Sequence, residues 1–179
     1  MINNNEPARI ATTQPEPWLR GTLQEVSAVP RAVLHALELA QEDLQRWCHG
    51  LDDSELRASP ADLPALAFHL RHISRSVDRL LTYAEGQALS GQQLAELKAE
   101  LDSGANRGEL FAELTTSLAN ARERILALAT VNFEAPRIVG KKALPTTLGG
   151  LLVHIADHTQ RHVGQAVTTA KLLISLRDR

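Results

Sequence analysis

Five of the seven histidines fall in two clusters, His69 with His72 and, far along the chain, His154 with His158 and His162. Imidazole is the commonest metal-binding side chain, and residues four apart on a helix stand one above the other, so two such rings can converge on one ion. Residues eight apart, separated by a rise of about 12 Å, cannot easily share one. The second cluster therefore offers either His154 with His158 or His158 with His162. A third imidazole from the first cluster completes a three-histidine site with open coordination positions, the arrangement a catalytic metal requires. Three neutral imidazoles suit zinc, nickel or iron(II). An ion held this way has two enzymatic uses: lowering the pKa of bound water for hydrolysis, or binding and activating the thiolate of a low-molecular-weight thiol for transfer to an electrophile.

Other metal chemistries are excluded by missing neighbours. A ferritin-like two-metal bundle needs Glu three residues before a histidine on two helices, and no histidine here has one. Zinc peptidases of the HExxH type need Glu directly after the first histidine, but Ile155 follows His154 and Thr159 follows His158. The single cysteine, Cys48, lacks the partner of a redox or haem-attachment motif and reads as a half-buried structural thiol. His35 and His49 stand alone and are assigned no role. Gly149-Gly150 beside Thr146-Thr147 fits no phosphate motif and reads as a place of close helix packing. Lys141 and Lys142 read as a solvated pair in a loop.

The elements that must position the clusters are helices. A first helix follows Pro30, with Val33, Leu37, Ala40, Leu44 and Trp47 recurring in threes and fours, and stops near His49 and Gly50. A second begins after Asp62 and Pro64, carries Leu66, Leu70, Ile73, Val77, Leu80 and Ala84 on one stripe, and ends at Gly86. One short helix, capped by Ser90, is expected from Gln92 to Leu101. A third long helix carries Leu110, Leu114, Leu118, Ala121, Ile125 and Leu128 and ends before Pro136. Residues 132–145 have a loop composition, after which Thr146 or Thr147 caps a fourth long helix reaching about Leu176. No alternating run long enough for a sheet is found. The expected fold is all-α, a four-helix bundle over residues 25–179 preceded by an arm, residues 1–24, which Trp18 and Leu19 pin to the bundle.

A helical wheel sorts the histidines. On the fourth helix the inward stripe is Leu148, Leu152, Ile155, Ala166, Ala170 and Leu173, and His162 lies about 40°, His158 about 80° and His154 about 120° from its centre. The pair His158 and His162 therefore faces the core. On the second helix His69 lies about 60° and His72 about 120° from the stripe's centre, which mildly favours His69. On the same wheels Asp78 and Asp157 point away from the site, so neither presents itself as a general base.

At these positions the chain resembles the DinB/YfiT-like family, which includes bacillithiol transferases and related mycothiol-dependent enzymes. The second helix reads His72-Ile73-Ser74-Arg75-Ser76, similar to the family's element of histidine, aliphatic and small residues, and the fourth reads Asp157-His158-Thr159-Gln160-Arg161-His162-Val163-Gly164-Gln165, similar to its NHxxxHRGQ element. Asp157 stands where Asn is commoner, and Val163 where Arg is. The resemblance covers roughly residues 30–176. It implies His72, His158 and His162 as ligands, with His69, His154 and Gln165 as neighbours that touch the ligands or line the pocket. It also implies a metal-dependent transferase acting on a small-molecule substrate with a low-molecular-weight thiol, or a related activity such as hydrolysis. A non-catalytic alternative reads the ion as structural and the bundle as a stress-associated binding or dimerisation module, with a homodimer as the assembly expected.

Composition agrees with these limits. The chain has 179 residues, 44% hydrophobic but only 3% aromatic, so one core built of Leu, Ala, Val and Ile is expected. Nineteen basic and twenty-one acidic residues give a formal charge of -2, without the basic excess that nucleic-acid partners require. Charges interrupt every apolar stretch before it reaches membrane-spanning length, and the first 30 residues lack the apolar segment of a signal peptide. The expected location is the cytoplasm.

Overall fold

The computed structural model of the chain describes residues 14–100 and 104–177. Four long helices carry the architecture: α1 (Ala28–Cys48), α3 (Leu66–Ala84), α5 (Arg107–Ala127) and α6 (Leu148–Arg177). Helix α1 packs on α6, α6 on α3, α3 on α5 and α5 on α1, closing an all-α four-helix bundle as the sequence pattern requires. The core between them is aliphatic, with Leu44, Leu70, Ile73, Leu81, Leu114, Ile125 and Leu152 among its fully buried side chains.

Local sequence explains where the helices begin and end. Asn106 caps α5 by accepting from the backbone of Glu109, whose side chain returns the bond. Ser90 and Gln93 form the same reciprocal cap on the short helix α4 (Gly91–Lys98). The expected end of that helix at Leu101 lies outside the described residues. Gly86, at φ 79°, closes α3: its N–H bonds to the Tyr83 carbonyl while the Gln87 N–H bonds to that of Thr82, the Schellman geometry that glycine adopts without side-chain strain.

Three features depart from expectation. Residues read as loop contain a hairpin in which β1 (Pro136–Val139) pairs antiparallel with β2 (Leu144–Thr147). Each strand has four residues and a proline, too short for alternation to register, and proline is tolerated on such open edges. The hairpin has a structural task. It delivers the Phe133 and Ala135 carbonyls to the N–H groups of Gly149 and Leu148, and Arg137 Nε donates to the Ala84 carbonyl at the end of α3. A side-chain carbon at Gly149 would stand 3.2 Å from the Phe133 backbone oxygen, so this glycine does serve close packing. Thr147, rather than Thr146, caps α6 by accepting from Gly150.

A second departure is the extra helix α2 (Asp53–Arg57), five residues long, with a reciprocal cap between Asp52 and Glu55. Its D-x-x-E signal is legible, but one turn is too short to show a period. The third concerns the arm, whose first 13 residues lie outside the described part. Trp18 and Leu19 are exposed; the attachment is made by buried Pro17 and by Arg20, which donates to Glu38 and Glu42 on α1. Among the described residues no helix is long and apolar enough to cross a membrane.

Candidate metal centre

Helices α3 and α6 pack directly, and their facing sides bring both histidine clusters together. Nitrogens of His72, His158 and His162, one from each ring, all lie within 4.8 Å of one another. The His72 and His158 ε-nitrogens are 3.3 Å apart. The His162 ring centroid lies 4.3 Å from that of His72 and 4.6 Å from that of His158. All three side chains are half-buried, at the edge of the core rather than in it.

The distribution of ring nitrogens shows what this cluster can hold. His72 Nδ1 donates to Glu100 Oε2 at 3.0 Å, and the δ-nitrogens of His162 and His69 share a hydrogen bond of 3.1 Å, so both rings turn their ε-nitrogens away from these partners. In a tetrahedral site with bonds of 2.0–2.1 Å, two imidazole nitrogens stand about 3.3–3.4 Å apart, the separation of His72 from His158. Across such a gap one nitrogen can donate to the other, and a divalent cation in place of that proton would satisfy both lone pairs together. The three residues thus fit the ion their types suggest.

Electrostatics favours the ligating form. Burial, followed by the neighbouring imidazoles, lowers the pKa of His158 to about 4. His162 is lowered to about 4 by burial, then by His72 and Arg161, against a smaller opposing pull from Glu100. Both rings are therefore neutral at pH 7, as metal coordination requires.

Around the cluster, the other sequence candidates take different places. His69 is fully buried on α3, its Nδ1 on His162, its Nε2 without a hydrogen-bond partner among the described residues and its pKa pushed down to about 4, first by burial and then by His162 and His72. His154 is exposed, one turn before His158, with ring centroids 5.5 Å apart. Gln165 is exposed on the turn after His162. Asp157 is exposed and paired with Arg161, and Asp78 is taken by Arg124 and Gln93. Cys48 is buried, and burial pushes its thiol up to about 12, so it is inert. His35 is buried against Thr22 of the arm, and His49 meets Phe111 edge to face.

Three residues beside the cluster escape a sequence reading based on histidine spacing. Phe68 stacks on His72 with centroids 5.2 Å apart. Glu100, buried, lies just beyond α4 and is paired through Oε1 with Arg79 Nη2 at 2.8 Å. Burial alone would raise the Glu100 carboxyl, but hydrogen bonds from His72 and Arg79 outweigh it and hold the group below its ordinary range. The one available signal was Arg79, seven residues and two helical turns after His72, a charge on the same side of the helix.

A sequence model of the DinB superfamily matches residues 36–166, well over half of the chain and inclusive of all five clustered histidines. The chain belongs to the DinB superfamily. This DinB-superfamily protein has no match among curated proteins and none among solved structures. Its bundle and its cluster of His72, His158 and His162 together fit a metal-binding member of the family.

Proposed function

We propose that this protein is a metal-dependent enzyme that holds a divalent ion with His72, His158 and His162 and joins a low-molecular-weight thiol, as its thiolate, to the carbon of an electrophilic small molecule, forming a C–S bond as the electrophile's leaving group departs. The observation carrying this reading is that three imidazole nitrogens from two helices converge within 4.8 Å, with no fourth ligand beside them among the described residues. A divalent ion supplies Lewis acidity there, lowering the pKa of a thiol brought to it. Zinc, nickel and iron(II) all suit neutral imidazoles.

The chain's own residues hold and orient the rings and ask for little separate base chemistry. Phe68 covers one face of His72, and His69 backs His162 from the core side. The nearby carboxylate, Glu100, is already engaged by His72 and Arg79, and Asp157 by Arg161. Thiol transfer would fit this arrangement because a divalent ion held by His72, His158 and His162 would supply the acidification of a thiol that no free carboxylate beside the cluster, among the described residues, is placed to give. His154 is exposed one turn before His158. A cytoplasmic location, where small thiols stay reduced, agrees with this chemistry.

The test uses protein free of any histidine tag, reconstituted separately with zinc, nickel and iron(II). Each form is assayed with a panel of low-molecular-weight thiols and an alkyl or aryl halide electrophile, alongside ester and amide hydrolysis. Metal-dependent thiol conjugation that disappears in His158→Ala supports the proposal. Hydrolysis without conjugation would make the protein a hydrolase, and a loaded centre inactive in every assay would leave the ion a structural role.

A further inference from the structure

We propose that Glu100 is a positioning residue of the metal centre: its carboxylate, anchored by Arg79, holds the His72 ring with its proton on Nδ1 and presents Nε2 toward His158. This inference rests on the metal-dependent reading above.

The three rings of the cluster differ in what fixes them. The contact between His69 and His162 joins two δ-nitrogens, and either can carry the shared proton. His158 Nδ1 is buried without a hydrogen-bond partner among the described residues. His72 alone faces a carboxylate, whose Oε2 accepts from its Nδ1 at 3.0 Å. Its tautomer is therefore dictated before any ion arrives. Phe68 stacks against the same ring at an interplanar angle of 21°, so rotation is restricted as well.

The arrangement is costly unless it has a use. Glu100 and Arg79 are each 8% exposed, and burying an ion pair sacrifices hydration that mutual attraction does not readily recover. Nor is the pair needed to attach α4 to the bundle. Gln93 Nε2 donates to Asp78 and Thr82, and Arg75 Nη1 donates to the Glu96 carbonyl, tying α4 down at two other places. What Glu100 does that these contacts do not is reach a ring of the histidine cluster. A carboxylate on the far nitrogen of a ligating imidazole orients the ring and increases its basicity, and losing such a partner typically costs about 10 to 100-fold in metal affinity.

The experiment compares full-length wild type with Glu100→Ala, Glu100→Gln and Gln93→Ala. Zinc affinity is measured by chelator competition, and the visible spectrum is recorded with cobalt(II). Gln keeps a carbonyl oxygen that can accept from Nδ1–H, whereas Ala removes the acceptor. Gln93→Ala loosens α4 without touching His72. We expect Glu100→Ala to weaken zinc binding about 10 to 100-fold and change the cobalt(II) bands, with Glu100→Gln recovering part of the loss and Gln93→Ala staying within about threefold of wild type.

The inference is overturned if Glu100→Ala binds like wild type, if Gln93→Ala loses as much as Glu100→Ala, or if Gln and Ala at position 100 are equally weak. Should Glu100→Ala fail to fold, the comparison of Glu100→Gln with Gln93→Ala decides: Gln must be the weaker binder and must shift the cobalt(II) bands. Wild type that takes up no metal would sink the metal-dependent reading itself. Wild type that binds, with His72→Ala losing the ion and Glu100→Ala keeping it, would sink this inference alone.

Discussion

The ε-nitrogens of His72 and His158 face each other at 3.3 Å from two different helices, α3 and α6. His72 Nδ1 donates to Glu100, which leaves its Nε2 turned toward His158. The pair therefore depends on the packing of α3 against α6 and on an electrophile or proton to occupy the space between them. Metal uptake and bundle stability are coupled through that contact.

Alanine substitutions along the two helices should separate ligands from neighbours. His72→Ala, His158→Ala and His162→Ala should each abolish tight binding and most of the metal-dependent rise in melting temperature, because only folded protein holds the ion. His69→Ala removes a partner of a ligand and should cost about 10 to 100-fold in affinity. His154→Ala should cost least, its ring being exposed and bonded to none of the three. Chelator competition and thermal unfolding with and without zinc measure both quantities. The grouping would be off by one turn of α3 if His69→Ala lost the ion while His72→Ala retained it.

Much of the molecule was legible in the sequence, and the failures have physical causes. Apolar spacing located the four long helices, because each buries a stripe of Leu, Ile, Val or Ala against its neighbours. The wheel did less well on α3. That helix packs on both α5 and α6 and buries Ser74, Ser76, Arg79 and Thr82 besides its apolar residues, so the centre of its apolar stripe does not point at α6. His72 sits at the α6 edge of this broad buried arc, where the wheel placed it far from the centre; the family resemblance named it a ligand, and the structure brings one of its nitrogens within 4.8 Å of those of His158 and His162. Glu100 was illegible because its role comes from the path of the chain after α4, which no periodicity encodes. The hairpin was missed because its strands are held by the end of α3 and the start of α6 rather than by their own pattern.

Acid should destabilise the metal-free protein in a defined window. His69, His158 and His162 have folded pKa values near 4, below the ordinary 6.5, mainly through burial and then through nearby charge. The unfolded chain therefore takes up protons that the folded one refuses as the pH falls from about 6.5 toward 4, and stability falls with it. Above about pH 8 these groups contribute little slope. Urea midpoints of metal-stripped protein at about pH 7.5, 6.5 and 5.5 should fall over both intervals, about three times as far over the last as over the first. A midpoint as high at the lowest of these values as at the highest would show that the rings are not held neutral.

Truncation tests how far the arm belongs to the bundle. Arg20 bonds to Glu38 and Glu42, Thr22 meets His35, and Leu23 packs against the core, whereas the histidine cluster lies on the contact of α3 with α6. Removing residues 1–24 should uncover His35 and the part of the core that Leu23 covers. Leu23 is only partly buried, so the loss should be about 1–2 kcal/mol, a fall of a few degrees in melting temperature for a chain of this size. Arg20→Ala alone should cost less than the truncation, since it leaves Pro17, Thr22 and Leu23 in place while removing the partly buried bonds to Glu38 and Glu42. Neither change touches a ring of the cluster, so zinc stoichiometry and affinity should match wild type in both. Soluble truncated protein that no longer binds metal would show that the arm supports α6 through α1 strongly enough to set the positions of His158 and His162.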